Sequence, residues 1–234
     1  MCGRFTMAID SDDLRTWLDL DQVPEDWEKR YNIAPSQEVA TVPMLENRNV
    51  VWMRWGLVPF WAKDPSIGYK MINARAETVA EKPAYRSSFK NKRCLILADG
   101  FYEWKKIGKT SIPYFFQLEN GAPFAFAGLW DDWENKGVSS MPGIPGLTTC
   151  TLITTAANGD VSPVHGRMPV ILTGERMWDW LKEDDPKRLL SLLKPLDDGR
   201  LSSWQVSRDV NSPQNQGDYL IEPHSEGLPG FLAD

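Results

Sequence analysis

At 234 residues and 42% hydrophobic content, the chain holds one large domain, or at most two small ones, with ample apolar material for a core. A net charge of −6 excludes a protein whose overall field collects polyanions, so a nucleic-acid reading must rest on a local basic cluster. Three cysteines at unrelated spacings and two distant histidines exclude a disulfide framework and a zinc-ligand pattern.

The first residues carry no basic stretch followed by an apolar run, and no apolar segment approaches membrane-spanning length. The expectation is a cytoplasmic protein with no membrane partner, monomeric by default. Eleven Trp with 17 Pro and 17 Gly favour many short elements over long helices.

In chain order, Ser11-Asp12-Asp13 is a helix start followed by Leu14, Trp17 and Leu18, which predicts a helix over roughly 11–20. The run from Arg30 to Pro35 is poor helix material. Residues 38–44 and 49–56 read as strands, the second β-branched and aromatic. Leu57 to Trp61 is an aromatic loop broken by Pro59, and 77–92 has helical composition interrupted at Pro83. Strands then crowd together at Arg93–Ala98, Phe101–Lys106, Pro113–Leu118 and Pro123–Trp130. Turn signals fall at 106–109 and at Asn120-Gly121, the latter the best short hairpin signal in the chain. Segment 131–147 reads as loop, Leu147–Ala156 and Met168–Leu172 as strands, Thr173–Lys182 and Asp185–Lys194 as helices, and Ser203–Ser207 as a late strand. The fold class is α+β, mainly antiparallel β-sheet with a barrel-like core and a few peripheral helices, over residues 1–234 as a single domain.

Polar residues set among apolar or small ones mark the candidate site. Removal of Met1 would make Cys2 the terminus, placing a thiol and an α-amine on one carbon frame. Asn73 and Arg75 sit two apart in Ile72–Glu77, which also reads as a loop entering a helix with Asn73 as cap. Glu103 lies between Tyr102 and Trp104; desolvation would raise its pKa and suit it to proton transfer, whereas an edge strand would leave it facing water. His165 lies in a loop between two strands, fenced by Pro163 and Pro169, and reads either as a catalytic residue on a rigid frame or as a packed or surface histidine. Cys94 and Cys150 lie in apolar strands and read as core. Arg4, Arg75, Arg86 and Arg167 each adjoin one of these segments, a phosphate track with Phe60 or Trp61 for stacking.

These segments occur in a recognisable order: Met1-Cys2-Gly3-Arg4-Phe5, Tyr31-Asn32-Ile33-Ala34-Pro35, Trp55-Gly56-Leu57-Val58-Pro59, Asn73-Ala74-Arg75-Ala76-Glu77-Thr78, Ala98 to Trp104, and His165-Gly166-Arg167-Met168-Pro169. In them the chain resembles the SRAP (SOS-response-associated peptidase) family, the abasic-site processing proteins. The resemblance implies one SRAP-fold domain with a basic channel for single-stranded DNA and no cofactor or metal. It implies a lyase-type activity that links the protein covalently to abasic sites, in the setting of DNA damage at the nucleoid. By position, Cys2 matches the nucleophile, Asn73 the residue beside the crosslink, Glu103 the acidic residue and His165 the catalytic histidine. Arg4, Arg75, Arg86 and Arg167 match phosphate-holding residues, Pro35 and Trp61 elements that fill the space of displaced bases, and Thr155 lines the same pocket. One departure is Ala62, where family members often carry a second aromatic after the position of Trp61. Two other functions fit the same residues: a cysteine-type peptidase limited to removal of Met1, and a non-covalent single-stranded DNA scaffold.

Overall fold

The structure, a computed structural model, describes residues 2–134 and 146–224. It begins with β1 (Phe5–Met7), α1 (Ser11–Leu18), β2 (Arg30–Ile33), β3 (Glu38–Pro43), β4 (Val51–Trp55) and β5 (Asn73–Arg75). Then come α2 (Arg86–Asn91), β6 (Arg93–Ala98), β7 (Gly100–Ile107), β8 (Thr110–Leu118), β9 (Phe124–Trp133) and β10 (Leu147–Ala156). The described chain ends through β11 (Arg167–Pro169), β12 (Ile171–Leu172), α3 (Glu175–Lys182), α4 (Pro186–Leu192) and β13 (Leu201–Gln205).

Five strands close on themselves. The ladder runs β10-β4-β3-β6-β9, and β9 pairs again with β10, so this small barrel has no free edge in its middle. All of its pairings are antiparallel except that of β10 with β4. β10 is long enough to leave the barrel: its second half pairs in parallel with β5 and antiparallel with β11. A second sheet of order β13-β8-β7-β1-β2 packs on the barrel through aromatic rings. Phe5 meets Trp55 at 5.1 Å and Phe126 at 5.5 Å between ring centroids, both edge-on, a favoured aromatic geometry. Cys94 and Cys150 are fully buried in the core, as their apolar strands suggest.

α3 and α2 are fastened to the barrel by Arg93, itself fully buried. Its Nε donates to Trp180 O, Nη1 to Phe89 O and Lys90 O, and Nη2 to Leu181 O and Glu183 O, at 2.7–3.2 Å. All five N–H groups are thereby used on carbonyls at the C-terminal ends of the two helices, where the helix dipole favours a cation.

The chain departs from the sequence expectations in several places. Asn120-Gly121 is a turn, with φ 66° at Gly121, but it is not a hairpin. β8 pairs with β7 and β13, β9 with β6, β10 and β12, so this turn carries the chain from one sheet to the other. The hairpin instead turns at Gly108 (φ 60°), where β7 and β8 pair down to Ile107 and Thr110. Residues 30–33, given no strand in the sequence, form β2 because Phe5 and Met7 of β1 supply pairing partners. Helix is confined to 86–91 in the segment 77–92, with turns before it. Segment 168–172 is two short strands, because Val170 turns its N–H to Ile153 and its carbonyl to Ala127. β9 extends to Trp133, and of the loop expected over 131–147, residues 135–145 lie outside the described residues. None of the described helices is long and apolar enough to cross a membrane.

Candidate active site

Cys2 reaches the interior because β1 is pinned at both ends. Thr6 Oγ1 and Ala8 N donate to the two carboxylate oxygens of Asp99 at 2.5 and 2.7 Å. Phe5 pairs with Phe101, and Tyr102 N donates to Arg4 O at 2.9 Å, so the segment before β1 runs back along β7 toward Glu103. Cys2 ends fully buried, its Sγ 3.7 Å from Arg4 O.

Asn73 meets it from another element. The expectation of a loop entering a helix is corrected: 73–75 is β5, held in register by Leu152, Ile153 and Thr154 of β10. Strand alternation buries Ala74 and leaves Arg75 exposed. Asn73 Nδ2 donates to Cys2 O at 2.8 Å. Its Oδ1 is buried and accepts no hydrogen bond from the described residues, an acceptor whose desolvation is already incurred.

Glu103 lies on β7 between β1 and β8 in sheet order, and is 2% exposed, so the water-facing edge reading is corrected. Burial pushes its carboxyl above the usual range, against the pull of nearby positive charge that includes His165. The Cys2 thiol is pushed well up, by burial first and by Glu103 second. It is therefore held as a neutral thiol.

His165 sits on a loop that is braced rather than loose. Val161 O accepts from both Val164 N and His165 N at 2.9 Å, and buried Asn158 ties the loop to Leu196 O at 3.1 Å. The ring Nδ1 lies 3.0 Å from both the N and the O of Arg167. As the Nε2–H tautomer the ring accepts from that N–H, and as the Nδ1–H tautomer it donates to that carbonyl.

The arginines divide. Arg4 is half-buried: Nη1 donates to Asn32 Oδ1 and Val210 O, both at 2.6 Å, while buried Nε has no partner. Arg167 is forked onto Glu77 at 2.5 and 3.1 Å and donates to Thr154 O at 2.6 Å, again with Nε unpartnered. Arg75 and Arg86 are exposed. Thr155 is buried on β10 opposite Met168, one position from Arg167. Pro35 is half-buried in the turn after β2, where Ser36 takes φ 73° and donates its N–H to Trp55 O. Trp61 and Arg86 line a separate cleft of about 470 Å³ with Phe60, Pro83 and Lys90, and none of Cys2, Asn73, Glu103 or His165 lines it.

Three residues with defined structural work were not singled out in the sequence. Asn32, 0% exposed, donates from Nδ2 to the carbonyls of Val210, Ser212 and Asn215 while its Oδ1 holds Arg4. Glu77 engages Arg167. Asp131 is buried beneath the aromatic loop. Asn32 and Glu77 lie inside the quoted motifs. Asp131 belongs to Trp130-Asp131-Asp132-Trp133, carboxylates flanked by aromatics, the pattern that drew attention to Glu103.

A buried Cys2 reached by an amide and a carboxylate, with an imidazole near that carboxylate, beside a closed five-stranded barrel, defines a class. The chain belongs to the SOS response associated peptidase (SRAP) family, which its residues 1–213 match. Its relatives include the abasic site processing protein YoqW of Bacillus subtilis (strain 168), 48% identical over 230 residues that cover 96% of this chain and 100% of that one. Abasic site processing protein YedK of Escherichia coli (strain K12) is 28% identical, covering 95% of this chain and 100% of its own. A crystal structure of a Bacteroides thetaiotaomicron protein superposes with a TM-score of 0.85 at 25% identity, covering 95% of this chain and 100% of that one.

Proposed function

We propose that this protein processes abasic sites in DNA by capturing them on Cys2, in single strands where the sugar needs no flipping. The observation that carries the reading is the convergence of Cys2, Asn73 and Glu103 from three separate elements on one buried point.

An open abasic sugar presents an aldehyde. Once Met1 is removed, Cys2 offers an α-amine, which with a pKa of about 7.7–8.0 is roughly a tenth neutral at pH 7, against about 0.04% for a lysine. The neutral amine nitrogen bonds to the aldehyde carbon and water leaves, giving an imine, which takes a proton from the Glu103 carboxyl to become an iminium. The neutral thiol then closes: the S–C bond forms, the C=N π pair returns to nitrogen, and the thiol proton passes to Glu103. The product is a five-membered thiazolidine, and closure within one residue benefits from effective molarities up to about 10⁵–10⁸ M. The ring removes the iminium that would otherwise promote strand cleavage. Asn73 Oδ1 is placed to accept from the nitrogen or a sugar hydroxyl, and His165 to move a proton during sugar opening. Arg4, Arg75, Arg86 and Arg167 would hold phosphates, with Pro35, Trp61 and Thr155 against the sugar and bases.

A raised thiol pKa suits this order, amine first and thiol second. It is the opposite of the lowered pKa that a cysteine peptidase needs, which weighs against the peptidase reading. The test is a single-stranded oligonucleotide with one abasic site, mixed with the protein and run on a denaturing gel. A shifted band, with intact-mass loss of one water relative to the summed reactants, is expected. Absence of the band from protein whose terminal residue is verified as Cys2 overturns the proposal.

A further inference from the structure

The loop 57–62 carries two of the most exposed aromatics of the described chain, Phe60 at 60% and Trp61 at 50%, on a base that is fully buried at Leu57. Exposed loop aromatics are ordinarily free to move. Here the backbone beneath them is clamped from four sides. Gly56 and Gly68 approach so closely that a Cβ on either would lie 2.7 Å from the other's carbonyl oxygen. Val58 N donates to Thr149 Oγ1 at 2.8 Å, and Trp133 Nε1 donates to Ala62 O at 2.7 Å. Phe60 N donates to Asp131 Oδ2 at 2.9 Å.

Asp131 is the least replaceable of these. It is 4% exposed, and its other oxygen, Oδ1, accepts from Lys92 Nζ at 2.8 Å and from Asp132 N at 3.0 Å. Both oxygens act as acceptors, so an amide in its place must turn an NH₂ toward one of the donors. Beside the loop lies the cleft of about 470 Å³, whose lining includes Phe60 and Trp61 together with Arg86 and Lys90. Aromatic rings and cations lining one cleft are the side-chain set that takes an unstacked base and its phosphate.

We infer that Asp131 is a positioning residue: through the N–H of Phe60 it holds the 58–62 loop so that Trp61 and Phe60 meet a nucleobase without first being ordered. The inference rests on the single-stranded DNA reading above. Its lever is affinity and not chemistry, since Asp131 touches neither Cys2 nor Glu103 in any contact described.

The experiment measures equilibrium binding of a single-stranded oligonucleotide carrying an unreactive tetrahydrofuran abasic analogue, and separately the crosslinking rate at saturating true abasic DNA. Asp131→Asn is expected to weaken binding about tenfold, a part of what base–aromatic stacking supplies. Its saturated crosslinking rate should stay within about twofold of the parent, because restraint of the loop is lost and the Cys2 site is not. Trp61→Ala should weaken binding to a similar degree, and Asp131→Asn added to it should cost little more, because the two act through one contact. Should Asp131→Asn not fold, Trp133→Phe removes a different clamp of the same loop and must give the same split. Additive losses, or a slowed saturated rate with unchanged affinity, overturn the inference. If the parent protein itself fails to bind the analogue, the DNA reading has failed instead; if it binds and Asp131→Asn binds equally, this inference alone has failed.

Discussion

Two regions of the molecule bury thiols equally and surround them differently. Cys2, Cys94 and Cys150 are each fully buried. Around Cys94 the neighbours are Ile96, the backbone of Gly128 and Cys150. The cation nearest to it in sequence, Arg93, has every donor occupied by carbonyls. Around Cys2 the polar groups are incompletely used: Asn73 Oδ1, on the amide that donates to Cys2 O, and Arg4 Nε are buried without partners among the described residues. Burial alone therefore does not separate a reactive cysteine from a packed one. Unspent hydrogen-bonding capacity is not confined to Cys2, since Trp130 Nε1 and Thr151 Oγ1 beside Cys150 are also buried without partners among the described residues; what sets Cys2 apart is that an amide and a carboxylate from two other strands reach it.

Cys2→Ala is the strongest way to test that contrast. It removes the thiol that closes the ring, so the crosslink that survives a denaturing gel without a reductant should be lost, leaving only an imine that hydrolyses, while Cys94→Ala and Cys150→Ala keep it. Arg93→Ala should do the reverse, leaving the chemistry of any folded protein intact but costing about 3–5 kcal/mol in a urea melt, since buried carbonyls lose their only cation. A smaller drop, below about 1 kcal/mol, would mean that water replaces the guanidinium.

Glu103→Gln sharpens the other side. Crosslinking should slow by about 10²-fold, the usual worth of a positioned acid–base group. Stability should move the opposite way. The folded-state pKa of Glu103 is raised by burial, so the native state holds its proton more tightly than the unfolded chain. That contribution is fully present below the unfolded value of about 4.3 and is lost as pH rises through the folded value. Melting temperatures of Glu103→Gln and parent should thus converge at low pH and separate above it, the variant being the more stable. Parallel profiles would remove Glu103 from its assigned role.

Cys94→Ala should cost about 1–2 kcal/mol without touching the crosslinking rate. Glu77→Gln should have the smallest effect on stability, within about 1 kcal/mol for so exposed an ion pair. It should nonetheless tighten single-stranded DNA binding at low salt, because Arg167 no longer has a carboxylate competing with phosphate.

Much of this was written locally. β-Branched, Thr and aromatic content placed most strands to within a few residues, including Leu147–Ala156 at both ends. Cys2, Asn73, Glu103 and His165 could be picked out as polar residues in apolar or constrained settings, because a charge or amide among aromatics is a local anomaly. Glu103 could not be given a face, since alternation offers two and both proved to be covered. Asp131 carried the same anomaly as Glu103, but its partner Phe60 lies 71 positions away and no local pattern names it.

The sequence by itself determined most of the strands, the turns and the polar residues that stand out among apolar ones, because these follow from side-chain size, branching and backbone freedom within a few residues. Only the tertiary structure decided which strands meet. It made Asn120-Gly121 a crossing between sheets, closed the barrel through β9 and β10, and gave β10 parallel partners in β4 and β5. Pairing is a contest among distant segments with similar patterns, settled by joint burial and not by any one of them. The same contest carries Cys2 to Asn73 and Glu103, so the site is a product of the closed fold.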